Sequence, residues 1–232
     1  MKKLSPSITA CAALILLSVG VIPSANATVT ILDFENSLAV GLTPMTYWQD
    51  SIVPISARVT DQYLNSGVMI SNAALINLGL GHAPSGYNGI GGINASGLLD
   101  YDSPVTFSFF LPGNVNATTD YFAYSPDLGG WSGNNITLSA YGIDGLLVGQ
   151  TSYVETGVFS PSFPLTLQGF GQFHTATIDS TLYNHWSGGV GIDLVRFGDL
   201  VSQVPEPATL ALIGMGLLGV VTSRRRKQNL DA

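Results

Sequence analysis

A short apolar segment near the C-terminus, Ala208 to Val221, is the feature that most restricts how this chain can fold. As an α-helix its 14 residues would span about 21 Å, against about 30 Å for the hydrocarbon core of a bilayer. A motif with two helix-breaking prolines precedes it, Val204-Pro205-Glu206-Pro207. A basic cluster follows it, Arg224-Arg225-Arg226-Lys227. We therefore predict a short transmembrane helix over residues 208–223, with the basic cluster in the cytoplasm.

The order and spacing of these three parts resemble the PEP-CTERM sorting signal of Gram-negative bacteria that make exopolysaccharide. The resemblance covers residues 204–227. It implies that an exosortase, a membrane-embedded protease-transpeptidase, recognises and cleaves the chain near Pro205-Glu206-Pro207. An ordinary C-terminal tail anchor is the alternative interpretation.

The first 27 residues have the pattern of a secretory signal peptide. Lys2 and Lys3 form a positive start, and the stretch from Ala10 to Ile22 is mostly apolar. Small residues stand at the two positions that a signal peptidase reads, Ala25 and Ala27. We expect export through the Sec translocon and cleavage after Ala27, with an uncleaved anchor as the alternative.

The segment between the two ends, residues 28–203, is strongly acidic. Its basic residues are Arg58 and Arg196, against 13 acidic residues, so its net charge is −11 with histidine neutral. Such a domain repels phosphate backbones, which excludes nucleic acid as a partner. The one cysteine, Cys11, lies in the signal peptide, so a cleaved protein has no disulfide, cysteine nucleophile or thiolate metal site.

Apolar residues alternate with polar ones along this middle segment, as in half-buried β-strands. Val105–Phe109 and Ile136–Ala140 show the alternation most plainly, and Asp144-Gly145 is a hairpin signal. Further strands are predicted over Thr28–Phe34, Tyr121–Tyr124, Leu146–Tyr153, Phe173–Ile178 and Gly191–Phe197. We predict a mainly β fold, a single antiparallel β-sandwich. The glycine-rich stretch from Gly79 to Gly97 is predicted to be a long loop.

Patterns in the first and last predicted strands are similar to those of galactose-binding-like jelly-roll domains. They include Thr30-Ile31-Leu32-Asp33-Phe34-Glu35 and Gly191-Ile192-Asp193-Leu194-Val195-Arg196-Phe197. The resemblance implies that these strands are neighbours and that a structural calcium lies between their carboxylates. Calcium takes six to eight oxygen ligands, and the candidates are Asp33, Glu35 and Asp193. The alternative is that these are solvent-exposed carboxylates at strand ends.

The tryptophans suggest a second kind of site. Trp48, Trp131 and Trp186 lie in stretches flanked by Gly, Ser or Asn, and Trp131 and Trp186 have the makeup of a carbohydrate site. Sugar rings stack on indole, while Asn and Asp bind hydroxyl groups. The alternative is that these aromatics cap the ends of the sandwich.

Motifs of hydrolytic enzymes are absent from the sequence. Neither Gly-x-Ser-x-Gly nor His-Glu-x-x-His occurs. We therefore expect a non-enzymatic structural or adhesive protein of the cell surface or the exopolysaccharide matrix of a biofilm. A carbohydrate-binding module and a secreted hydrolase remain as alternatives.

Overall fold

Short antiparallel strands dominate the structure, a computed structural model that describes residues 28–79, 82–126, 134–154, 164–181 and 191–202. The strands in these ranges are β1 Thr30–Leu32, β2 Met45–Thr46, β3 Arg58–Val59, β4 Val68–Ser71, β5 Ala73–Asn77, β6 Asn88–Gly92, β7 Val105–Leu111, β8 Val115–Pro126, β9 Asn135–Tyr141, β10 Leu147–Val154, β11 Leu165–Phe173, β12 Thr175–Thr181, β13 Ile192–Phe197 and β14 Val201–Ser202. Single 3-10 turns lie at Ser37–Val40, Ile55–Ala57 and Leu64–Ser66.

The strands form two ladders joined by one hairpin. The first ladder has the order β10-β9-β12-β7-β4. The second has the order β11-β8-β13-β6-β5, with β1 also paired to β13. The ends of β7 and β8 pair where Phe110 faces Asn116, which connects the ladders. Every described pairing is antiparallel except β2 with β5, so the sheet is mixed.

Phenylalanines from the two ladders pack against each other to form the core. Phe107 and Phe109 of β7 point at Phe122 of β8, with ring centroids 5.1 and 6.2 Å apart. Phe109 also contacts Phe173 at 6.1 Å and Phe197 at 5.3 Å. All five rings are fully buried, and each contributes about 1.5–3 kcal/mol by burial. The predicted mainly β sandwich is confirmed.

The strands that were predicted from a clear alternation of apolar and polar residues are present. Val105–Phe109 lies in β7, whose alternate residues are buried. Ile136–Ala140 lies in β9, and Tyr121–Tyr124 lies inside β8. The predicted turn at Asp144-Gly145 joins β9 to β10, and the N–H of Gly145 donates to the Gly142 carbonyl at 3.0 Å.

The prediction of a long loop from Gly79 to Gly97 is wrong, because β6 (Asn88–Gly92) lies within it. This strand pairs with both β5 and β13, and all five of its residues are buried. The glycines of β6 allow neighbouring atoms to approach its backbone closely. A Cβ added at Gly92 would lie 2.2 Å from the Ser103 carbonyl oxygen.

The predicted strand Phe173–Ile178 is in fact two strands in different ladders. β11 ends at Phe173 and pairs with β8, whereas β12 begins at Thr175 and pairs with β7 and β9. The chain crosses between the ladders at His174, whose Nδ1 lies 2.8 Å from the Ala117 carbonyl oxygen.

In the part of the chain that the structure describes, no helix is both long and apolar enough to cross a bilayer. The predicted signal peptide (residues 1–27) and sorting tail (residues 204–227), including its helix over 208–223, lie outside the described residues.

Candidate functional site

Pairing of the first strand with the last long strand creates the candidate site. Thr30 of β1 lies opposite Phe197 of β13, and Leu32 lies opposite Val195. The chain leaving β1 therefore passes beside the start of β13, and Asp33 comes close to Asp193. The neighbouring strands that the jelly-roll resemblance implied are thus present.

The hydroxyl of Ser85 lies at the centre of the site. Its Oγ is 2.9 Å from the Asp33 carbonyl oxygen, 3.0 Å from Asp193 Oδ1 and 3.3 Å from Glu35 Oε1. A serine hydroxyl carries one hydrogen and can donate to one of these oxygens at a time. The cluster therefore has more oxygen acceptors than this hydrogen can satisfy.

Backbone and side-chain amides hold the Glu35 carboxylate in place. The N–H groups of Tyr87 and Asn88 each donate to Glu35 Oε1 at 2.8 Å, and Asn88 Nδ2 donates to Oε2 at 3.3 Å. Gly86 permits this approach, because a Cβ there would lie 2.8 Å from Glu35 Cδ. The carboxylate is therefore oriented by the segment that precedes β6.

Asp193 is a fully buried carboxylate at the start of β13. The N–H of Ser85 donates to Oδ2 at 2.7 Å, and the N–H of Leu194 donates to Oδ1 at 2.6 Å. Burial raises the pKa of Asp193, and the negative charge of Glu35 raises this pKa further. The hydrogen bonds from Ser85 and Leu194 oppose the rise without cancelling it.

The structure brings the three predicted calcium ligands together, but not as three converging carboxylates. Asp33 presents its carbonyl oxygen to Ser85, while its Oδ1 accepts the Glu35 N–H at 3.2 Å. In the described ranges, no group of three or more His, Cys, Asp or Glu residues could hold a metal ion. A cation here would need carbonyl and hydroxyl oxygens beside the two carboxylates, a mixture that calcium accepts.

Ser85 and Asn88 belong to the site but were not among the residues predicted from the sequence. They lie in the stretch predicted to be a loop, and no local motif marks either residue. Apart from Trp48, the other predicted site residues lie outside the described part of the chain. These are the carbohydrate candidates Trp131 and Trp186, the signal cleavage residues Ala25 and Ala27, and the tail residues Val204, Pro205, Glu206, Pro207, Arg224, Arg225, Arg226 and Lys227.

Residues 203–227 match the PEP-CTERM protein-sorting motif. The chain carries a PEP-CTERM motif. This motif implies an exported protein that an exosortase sorts at the membrane of a Gram-negative bacterium. The predicted recognition of the tail over residues 204–227 is confirmed.

Three solved structures illustrate what the chain is similar to. The K2 cleaved adhesin domain of Lys-gingipain has 10% identity and a TM-score of 0.39, covering 73% of this chain and 99% of its own. A DUF4465 family protein from Bacteroides caccae has 11% identity and a TM-score of 0.38, covering 76% and 100%. TmCBM61 in complex with β-1,4-galactotriose has 12% identity and a TM-score of 0.32, covering 63% and 99%. No curated protein sequence matches the PEP-CTERM chain.

Proposed function

We propose that this PEP-CTERM protein is a non-catalytic structural or adhesive component of the cell surface or the exopolysaccharide matrix. The observation that carries the proposal is the sorting motif at residues 203–227, directly after a β-domain that ends with β14. A sorting tail delivers the domain that precedes it, so that domain acts outside the inner membrane.

The proposed route has three steps. The Sec translocon exports the chain, and signal peptidase cleaves after Ala27. The tail then halts in the inner membrane with its basic cluster, residues 224–227, on the cytoplasmic side. An exosortase finally cleaves near Pro205-Glu206-Pro207 and releases or transfers the domain.

We also propose that the site around Ser85 holds a structural calcium ion. Glu35 and Asp193 would supply carboxylate oxygens, Asp33 a carbonyl oxygen and Ser85 its hydroxyl oxygen. The fit rests on the convergence of the Asp33 carbonyl oxygen and Asp193 Oδ1 on Ser85 Oγ and on the burial of Asp193. A cation would relieve the repulsion between the two carboxylates and would tie β1, β13 and the segment before β6 together.

Processing of the tail tests the sorting role. The full chain is expressed in a Gram-negative host with its exosortase gene intact or deleted, and mass spectrometry defines the C-terminus. We expect loss of the tail only in the intact host, and loss of processing in Glu206→Ala. Ser202→Ala, a matched change in β14 just before the motif, should be processed normally. An intact tail in both hosts, or protein confined to the cytosol, would overturn the proposal.

A further inference from the structure

Two neighbouring aromatic side chains stack on the protein surface directly after β2. The ring centroids of Tyr47 and Trp48 lie 4.8 Å apart, with 28° between the ring planes. Trp48 is 62% exposed and Tyr47 is 45% exposed. Each ring covers one face of the other, so the outer face of this aromatic pair remains open to solvent. Exposed apolar surface of this kind is a feature of binding sites.

Hydrogen bonds fix the backbone that carries the aromatic pair. The hydroxyl of the buried Tyr101 donates to the Tyr47 carbonyl at 2.9 Å. The Gln49 side chain accepts the Tyr101 N–H at 3.2 Å and donates to Asp100 Oδ1 at 3.1 Å. The backbone that carries the pair is therefore ordered before any ligand arrives, which lowers the entropic cost of binding.

The surroundings of the aromatic pair favour a neutral ligand with hydroxyl groups. Asp50 and Asp100 lie in the two segments that meet here, joined by a hydrogen bond from the Asp50 N–H to the Leu99 carbonyl at 2.9 Å. No lysine occurs between residues 28 and 203, so anionic polymers and anionic lipid headgroups meet net repulsion. A pyranose ring offers a C–H face for stacking and hydroxyl groups for carboxylate and amide oxygens.

We propose that Tyr47 and Trp48 form a stacking site for a pyranose ring of a neutral polysaccharide. The inference rests on the adhesive role proposed above and names what the domain adheres to. Trp48 was considered in the sequence together with Trp131 and Trp186, and the structure adds its stacking on Tyr47. A contact made by charge and a general apolar contact are the competing explanations, and the experiment separates them.

The test uses the full chain in mild detergent and measures retention on gels that contain neutral glucans, neutral galactans or uronic-acid polymers. We expect retention by at least one neutral polymer, insensitivity to salt, and at least a tenfold loss of affinity in Trp48→Ala and Tyr47→Ala. Trp48→Phe, which keeps an aromatic face, should lose less. Melting temperatures should stay within the range of the wild type, because both side chains are exposed.

The matched control is Ile55→Ala, which removes an apolar side chain that is 87% exposed on the 3-10 turn Ile55–Ala57. It should bind like the wild type. An equal loss in Ile55→Ala would indicate a general apolar contact, and retention that salt abolishes would indicate a contact made by charge rather than by stacking. Each of these two results would overturn the inference. Binding to uronic-acid polymers alone would overturn it as well, and so would no retention on any neutral polymer. A processed tail without polysaccharide binding would refute this site but leave the sorting role standing.

Discussion

Ser85 binds both oxygens of the Asp193 carboxylate, with its backbone N–H 2.7 Å from Oδ2 and its Oγ 3.0 Å from Oδ1. The contact joins the segment before β6 to the start of β13. The same hydroxyl reaches Glu35 and the Asp33 carbonyl. One side chain from a glycine-rich segment thereby organises the candidate site.

Calcium should stabilise the wild-type protein through this site. At a free concentration 100 times the dissociation constant, a bound ion adds about 2.7 kcal/mol to the free energy of unfolding. We expect calcium to raise the melting temperature of the wild type but not of Asp193→Asn. Asp179→Asn, a change on the exposed side of β12, should respond like the wild type. Calorimetry with calcium or with chelator measures these melting temperatures. An equal response of the wild type, Asp193→Asn and Asp179→Asn would contradict the site.

Without calcium, the stability of the protein should depend on the titration of Asp193. The folded state raises the pKa of this carboxyl, so it holds the proton more tightly than the unfolded state does. This contribution to stability is complete below the unfolded pKa of about 3.9, and it is lost as the pH rises through the folded pKa. Urea unfolding of the wild type with chelator should therefore show a free energy of unfolding that declines as the pH rises. Asp193→Asn should remove this decline. Parallel pH profiles for the two proteins would show that Asp193 does not titrate in this way.

Tyr63→Phe should leave stability unchanged or raise it by about 1 kcal/mol. Among the residues that the structure describes, the buried Tyr63 hydroxyl has no hydrogen-bond partner. Its burial, with the charge of Asp33, raises the pKa of Tyr63 to about 12. The substitution removes this hydroxyl and keeps the edge-to-face contact with Phe34, whose ring centroid is 5.5 Å away.

The control for Tyr63 is Tyr101→Phe, which deletes a hydroxyl that does donate a hydrogen bond, to Tyr47. It should lower the free energy of unfolding by about 1 kcal/mol. Chemical denaturation of the three proteins provides the comparison. A loss of stability in Tyr63→Phe equal to that in Tyr101→Phe would mean that the Tyr63 hydroxyl is satisfied in solution.

Gly92→Ala should destabilise the protein by about 3 kcal/mol. The added Cβ would lie 2.2 Å from the Ser103 carbonyl oxygen and 2.6 Å from that of Asp100, and backbone atoms cannot move aside easily. Gly41→Ala is the control, because its added Cβ meets nothing within 4 Å and only its φ of +81° is strained. That strain costs about 1 kcal/mol. Denaturant unfolding measures the free energy of unfolding of both variants. Similar losses in Gly92→Ala and Gly41→Ala would refute the close approach at Gly92.

Periodicity predicted strands where one face is buried and the other is not. Alternate residues of β7 are buried, so its sequence alternates between apolar and polar residues. β6 is buried throughout and consists of Asn-Gly-Ile-Gly-Gly, which offers no alternation and resembles a loop. The chain changes ladders at His174, and the alternation shifts there by one residue, because Phe173 is buried in β11 whereas Ala176 and Ile178 are buried in β12.

The candidate site was predictable only in part, for a related reason. Asp33, Glu35 and Asp193 belong to recognisable patterns at the ends of strands. Ser85 enters the site through long-range packing of a segment without a motif. The Tyr47–Trp48 pair is likewise defined by stacking and exposure, which are tertiary properties that spacing does not reveal.

The pairing of β1 with β13 also brings the two ends of the described domain together. Just before β1, the N–H of Thr28 donates to Asp199 Oδ1 at 3.0 Å, so the start of the domain lies beside the stretch that leads to β14. The proposed signal peptide and the proposed sorting tail would therefore connect to the domain on the same side, and either one held in a membrane would turn that side towards the lipid.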